Sequence, residues 1–101
     1  MFGTIARVTV QPGKEDEFLA INDRWARERG ANVGEVAGYV LKAEGQREHF
    51  IVAIFTDRDA YYTNANDPET DRWYRLLRAT LEADPEWNDC AVIRSGVLSS
   101  I

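Results

Sequence analysis

The chemical options of this sequence rest on seven large aromatic side chains and a few polar ones. They are Trp25, Tyr39, Tyr61, Tyr62, Trp73, Tyr74 and Trp87, with Arg7, His49, Asn64 and Asn66. These types can wall and orient a small organic molecule. They are poorly suited to holding a metal, because one histidine and one cysteine give no HxxxH, CxxC or EF-hand spacing. Nucleotide chemistry is equally unsupported: no GxGxxG follows a strand and opens a helix, and no glycine-rich phosphate loop exists. Serine occurs only at 95, 99 and 100, so a Ser-His-Asp hydrolase is not expected.

Each candidate has a bland reading beside the functional one. Trp73 lies on a stripe with Leu76, Leu77, Thr80 and Leu81, and such stripes usually build core. Tyr74 lies off that stripe, lining a cleft or the surface. His49 leads into a strand and is read as a solvated strand-end residue, with a general base as the sharper option. Arg7 falls on a central strand. It therefore either pairs with a carboxylate or reaches an anionic or carbonyl group in a cavity. Cys90 reads as a small buried strand residue rather than a reactive thiol.

The elements that must position these groups follow in order. Phe2 to Val10 is a β-branched strand stopped by Gln11-Pro12-Gly13. A helix opens on Lys14-Glu15-Asp16-Glu17, presents Phe18, Ile21 and Trp25 at helical spacing, and stops at Gly30. Strands are expected over Val36 to Ala43 and His49 to Thr56, joined by a short polar hairpin turn. Asp57 opens a short helix through Tyr61 and Tyr62. Asp67 caps a fresh helix with Pro68 in its first position. Cys90 to Leu98 reads as the fourth strand.

The order is βαββαβ, an α+β ferredoxin-like sandwich with a four-stranded antiparallel sheet and helices on one face. Two helices leave the other face uncovered, and the third strand, FIVAIF, has no polar position. An apolar sheet face of that size marks an interface, so the expected assembly is a homodimer closed sheet to sheet. Within NANDPETDRWYRLLRATLEADPEW, residues 64 to 87, the stretch before Pro68 reads as pocket rim. Trp73, Leu76, Leu77 and Leu81 read as core.

A chain of 101 residues is read as a single domain spanning 1–101. A formal charge of −5 argues against nucleic-acid or anionic-membrane partners. The start, MFGTIARVTVQPGK, lacks a signal-peptide pattern, no window is apolar enough to span a membrane, and one cysteine suits a reducing compartment. A soluble cytoplasmic protein is expected.

Three segments bring a resemblance: VTVQPGKEDEFL, FIVAIFTDRDAYYTNANDPE and RWYRLLRATLEADPEWNDCAVI. Together they make the chain similar to the antibiotic biosynthesis monooxygenase family of the dimeric α/β barrel superfamily. The resemblance implies a ferredoxin-like protomer, a dimer, and a pocket between helices and sheet. It also implies oxygenation of a small aromatic or polyketide-like substrate with no cofactor. In that chemistry the deprotonated substrate itself reduces dioxygen. Asn64 and Arg7 would then orient or stabilise an enolate or phenolate oxygen, with Tyr61, Trp73, Tyr74, Trp25 and His49 binding the substrate. Haem-degrading relatives place an asparagine on the first strand and a histidine in the second helical region. Here the first strand has Thr4 and Ala6, and no histidine lies between Asp57 and Ala83. Two other readings stand beside the oxygenase. One is a non-catalytic small-molecule-binding or stress-associated dimer. The other is a lyase or isomerase, for which only His49 or an acidic side chain could serve as base.

Overall fold

The structure, a computed structural model, describes residues 1–96. Strand β1 (Phe2–Thr9) is followed by helix α1 (Glu15–Glu28), a 3-10 turn (Gly30–Val33), and strands β2 (Glu35–Lys42) and β3 (Glu48–Phe55). Helices α2 (Arg58–Ala65) and α3 (Pro68–Arg78) and strand β4 (Glu86–Ala91) complete the order. The four strands form one antiparallel sheet in the order β2-β3-β1-β4, so β1 and β3 are central. This is the expected ferredoxin-like α+β architecture, its second helix broken in two.

Local chemistry sets the helix ends. Three acids, Glu15, Asp16 and Glu17, occupy the first turn of α1 and Arg27 its last, as the helix dipole favours. The Asp57 carboxylate accepts from Ala60 N at 2.7 Å to start α2. The Asp67 carboxylate accepts from Glu69 N at 2.8 Å, with Pro68 opening α3, where its missing N–H costs nothing.

The helices all cover one face. Val8, Val10, Phe18 and Leu81 form the closed core at one end of the sheet, with Val40, Ile51 and Leu77 packed against them. The β-bridge between Val10 and Leu81 and the bond from Glu82 N to Thr9 O pin the chain after α3 to the end of β1.

That tether corrects the fourth strand. The expected Cys90 to Leu98 is replaced by Glu86–Ala91, with Arg7 facing Glu86 and Phe2 facing Ala91. A chain held at Leu81 beside Val10 must enter the sheet within a few residues, although its own entry residues are polar. Positions 97 and 98 lie outside the described residues. Every residue of this edge strand is exposed, Cys90 included, so the cysteine is not buried as expected.

The stripe on α3 is corrected too. No residue of α3 is fully buried, Leu76 is 49% exposed, and Trp73 is only half-buried. The helix leans on α1 edge-on through Trp73 against Trp25, their ring centroids 6.0 Å apart, and leaves space above the sheet.

Opposite the helices, alternation along the paired strands places Ile5, Tyr39, Leu41, Phe50, Val52 and Ile54 together on the uncovered face. Ile5, Tyr39 and Leu41 are exposed.

Candidate functional site

The space above the sheet exists because the sheet's helix-facing row is made of small residues. Register aligns Gly38, Ala53, Thr4 and Asp89 side by side across β2, β3, β1 and β4. With no bulky side chain there, α1 and α3 stand off the sheet and enclose a cleft of about 490 Å³, within the range of small-molecule sites. Its walls are Trp25, Trp73, Tyr74 and Trp87, and Ile21 and Leu77 add apolar surface. Tyr74 and Trp87 pack with centroids 6.3 Å apart.

Polar groups converge on this apolar box. Asn64, on α2 and 8% exposed, accepts from Thr70 Oγ1 at 2.8 Å through its Oδ1. Among the described residues its Nδ2 has no protein partner, leaving two N–H donors available to a ligand. The Tyr61 hydroxyl donates to Asp89 Oδ1 at 2.6 Å, and the Tyr62 hydroxyl to Asp89 Oδ2 at 3.3 Å. Thr4 Oγ1 lies on the floor, its residue 3% exposed, without a hydrogen-bond partner. It is near enough to Tyr61 to favour that phenol's ionisation slightly, yet makes no bond of acceptable geometry.

Burial first, and then the hydrogen bond to Asp89, push the Tyr61 phenol well above its ordinary range. The folded protein keeps this proton past the pH at which the unfolded chain releases it. The stability Tyr61 contributes is therefore whole below about pH 10 and falls as pH climbs above it. Urea midpoints taken at pH 9 and pH 11 should fall more steeply in the wild type than in Tyr61→Phe. Equal pH slopes would mean that Tyr61 ionises as freely folded as unfolded.

At the far side of Trp25 lies a carboxylate that the sequence reading did not single out. Glu35 Oε2 accepts from Trp25 Nε1 at 2.7 Å. Burial raises its carboxyl above the usual range, and the indole bond acts against that rise.

The structure divides the expected site residues sharply. Asn64, Tyr61, Trp73, Tyr74 and Trp25 come together around the cleft. Arg7 does not: its side chain, 55% exposed, lies on the uncovered sheet face between Glu48 and Glu86, at 3.6 and 3.5 Å. The pairing option was right for Arg7 and the cavity option is excluded, because alternation turns it away from the helices. His49 also lies elsewhere. It is 2% exposed rather than solvated, edge-on to Phe18 in the closed core. Its Nδ1 is 2.9 Å from Arg47 O and its Nε2 3.4 Å from Glu15. The division of the 64–87 segment holds in part: Leu81 is in the closed core with Leu77 packed against it, while Asn64 is buried on α2, Trp73 forms a wall and Leu76 is exposed. Asp89, Thr4, Thr70 and Glu35 were missed. Only pairing register could have found the first two, and β4 had been placed too late.

A sheet covered on one face by helices, with an aromatic, hydrogen-bonding cleft between the layers, defines a ferredoxin-like α+β protein. Solved structures with this fold include antibiotic biosynthesis monooxygenases. A Caulobacter crescentus protein so assigned superposes with a TM-score of 0.79 at 17% identity, over 92% of this chain and 90% of that one. A Nitrosomonas europaea protein of the same assignment gives 0.77 at 10% identity, over 93% and 100%. SnoaB, a cofactor-independent oxygenase from Streptomyces nogalater, gives 0.74 at 22% identity, over 93% and 94%. Neither the protein-family models nor the curated proteins contain a match to the sequence. The resemblance to the antibiotic biosynthesis monooxygenase family therefore holds in three dimensions: the chain has that family's fold.

Proposed function

We propose that this protein is a cofactor-independent monooxygenase acting on a small aromatic or polyketide-like phenol. The observation behind this reading is the pairing of an aromatic-walled cleft with the unpartnered amide Nδ2 of the buried Asn64. A ring system stacks between Trp25, Trp73, Tyr74 and Trp87. Its ring oxygen accepts from Asn64 Nδ2, whose worth grows as that oxygen gains charge on deprotonation. Of the two carboxylates that line the cleft, Asp71 pairs with Arg75 at 2.8 Å, and Asp89, which holds the Tyr61 and Tyr62 hydroxyls, takes the proton. Moving a proton from phenol to carboxylate leaves the site's total charge unchanged. The resulting anion gives one electron to dioxygen. Recombination of superoxide with the substrate radical forms a C–O bond, and loss of water leaves a carbonyl: R₂CH₂ + O₂ → R₂CO + H₂O.

Oxygen consumption with a panel of anthrones and quinols tests the reading. Uptake above the uncatalysed rate, with one oxygen atom of ¹⁸O₂ in the product, is the expected result. Tight binding of these compounds without uptake would replace the oxygenase with a non-catalytic binding protein.

The same reading includes a homodimer closed through the uncovered face, where Ile5, Tyr39, Leu41, Phe50, Val52 and Ile54 would otherwise meet water. Light scattering at micromolar concentration should give about twice the 11.5 kDa chain mass. A clean monomer would refute it. Replacing Tyr39 and Leu41 by lysine should weaken the dimer, because it would put positive charge into the apolar seam.

A further inference from the structure

Strand β2 carries a bulge: Glu35 faces Phe55 and Ala37 faces Ile54, leaving Val36 as the extra residue. Without it Glu35 and Ala37 would share a face. The bulge turns Glu35 to the helix side, as bulges near functional sites do, and Ala37 away from it. Two glycines make room for the carboxylate. A Cβ on Gly38 would lie 2.7 Å from Glu35 Oε1, and one on Gly30 would lie 3.2 Å from Oε2. Oε2 is engaged by the Trp25 indole, while Oε1 has no hydrogen-bond partner among the described residues.

This carboxylate lines a second groove of about 490 Å³ between α1 and β2. That groove and the cleft around Asn64 share Asn22, Trp25, Ile51 and Ala53 as walls. Their floors meet at Ala53: in the row Gly38–Ala53–Thr4–Asp89, Gly38 lies under the groove, Thr4 and Asp89 under the cleft, and Ala53 under both. Between Ala53 and Asp89 in that row lies Thr4, whose buried hydroxyl has no hydrogen-bond partner. Three inter-strand steps separate Asp89 from Gly38, about 14 Å at the usual strand spacing. Among the described residues no arginine, lysine or histidine lines either compartment; the ionisable carboxyls are Asp23, Glu35, Asp71 and Asp89.

We infer that the two compartments are one trough, and that Glu35 Oε1 accepts a hydrogen bond from the distal hydroxyl of an elongated, uncharged, fused-ring polyphenol. The inference rests on the oxygenase reading for the aromatic nature of the substrate and adds its length, its second hydroxyl and its lack of negative charge. Trp25 spans the joint between the compartments, and Glu35 fixes its indole through one oxygen while binding ligand through the other. A carboxylated ligand would meet only acids among the charged residues that line the trough, the guanidiniums of Arg24 and Arg29 being stacked on Trp73 and Trp25.

Titration of tryptophan fluorescence at pH 6 tests this with 2,6-dihydroxyanthraquinone, 2-hydroxyanthraquinone and anthraquinone-2-carboxylate. In the wild type the dihydroxy probe should bind on the order of tenfold tighter than the monohydroxy one, and the carboxylate weakest. Glu35→Gln should reduce the dihydroxy preference, because with its oxygen on the indole the amide offers the distal hydroxyl a neutral N–H donor in place of a charge-assisted acceptor. The dihydroxy probe should also move the Trp25 indole N–H resonance, assigned with Trp25→Phe, and the preference should survive in that variant. Equal binding of the two hydroxylated probes to the wild type, loss of both together in Glu35→Gln, or no binding at all would overturn the inference. A dihydroxy preference without oxygen uptake would sink the oxygenase reading and leave the trough standing.

Discussion

Asn64→Ala is expected to lower turnover of an oxidised phenol about a hundredfold while the protein stays folded. In the free protein the amide accepts one hydrogen bond, from Thr70 Oγ1 at 2.8 Å. Losing it costs about 1 kcal/mol, or roughly 4 to 8 °C in melting temperature for a domain of this size. In the transition state the other half of the same amide faces an oxygen that is gaining charge. Removing such a donor costs roughly 3 kcal/mol, which is the hundredfold loss. Steady-state oxygen consumption beside a thermal melt separates the two effects. A folded variant with wild-type kcat would remove Asn64 from the chemistry. Asn64→Asp sharpens the test: it can still accept from Thr70, but it brings a negative charge to the oxyanion and should be at least as slow as the alanine variant.

The largest loss of stability is expected from Phe18→Ala, at about 3 to 5 kcal/mol. Phe18 is 0% exposed and belongs to the one closed core, against Val8, Val10 and Leu81. It also supports the His49 ring edge-on at 5.2 Å. Truncation opens a cavity that β1, fixed by ladders on both sides, cannot collapse to fill. A domain of this size has only some 5 to 15 kcal/mol to lose. Trp73→Ala is the informative contrast. Its ring is a half-buried cleft wall touching Trp25, so the variant should lose far less stability and chiefly weaken ligand binding. Urea titrations at one fixed protein concentration compare the two, since any assembly adds the same mass-action term to each. A Trp73 variant less stable than the Phe18 variant would restore the core reading of α3.

The fold was legible because its signals are local: the Asp67-Pro68 helix start, the stop at Gly30, the β-branched first strand and the apolar third strand. The helix-side walls were legible for the same reason, since Trp25 and Trp73 stand at helical spacing. Four things were not. Arg7 was read as a buried charge because its strand is central, yet which face it takes depends on alternation within the sheet. Asn64 was read as rim because it precedes a helix break, but burial there is decided by where α3 comes to rest. Glu35 was invisible because a bulge is a property of paired strands, and one extra residue reverses which face a side chain takes. Asp89 was hidden by the late placement of β4, whose position follows from the distant Val10–Leu81 bridge.

The central position of β1 also has a consequence for how the chain reaches this state. The β2–β3 pair closes over a short connection, with Lys42 opposite His49, and its small loop entropy lets it form early. The β1–β4 ladder joins Phe2 to Ala91, almost the full length of the chain. Of the four strands, β1 precedes the others in the chain yet is the last to gain both neighbours, and β4 must be made before that ladder can form. A nascent chain halted before Glu86 would hold β1 as a bare edge with one row of unpaired backbone groups. Such an edge invites strands from other chains.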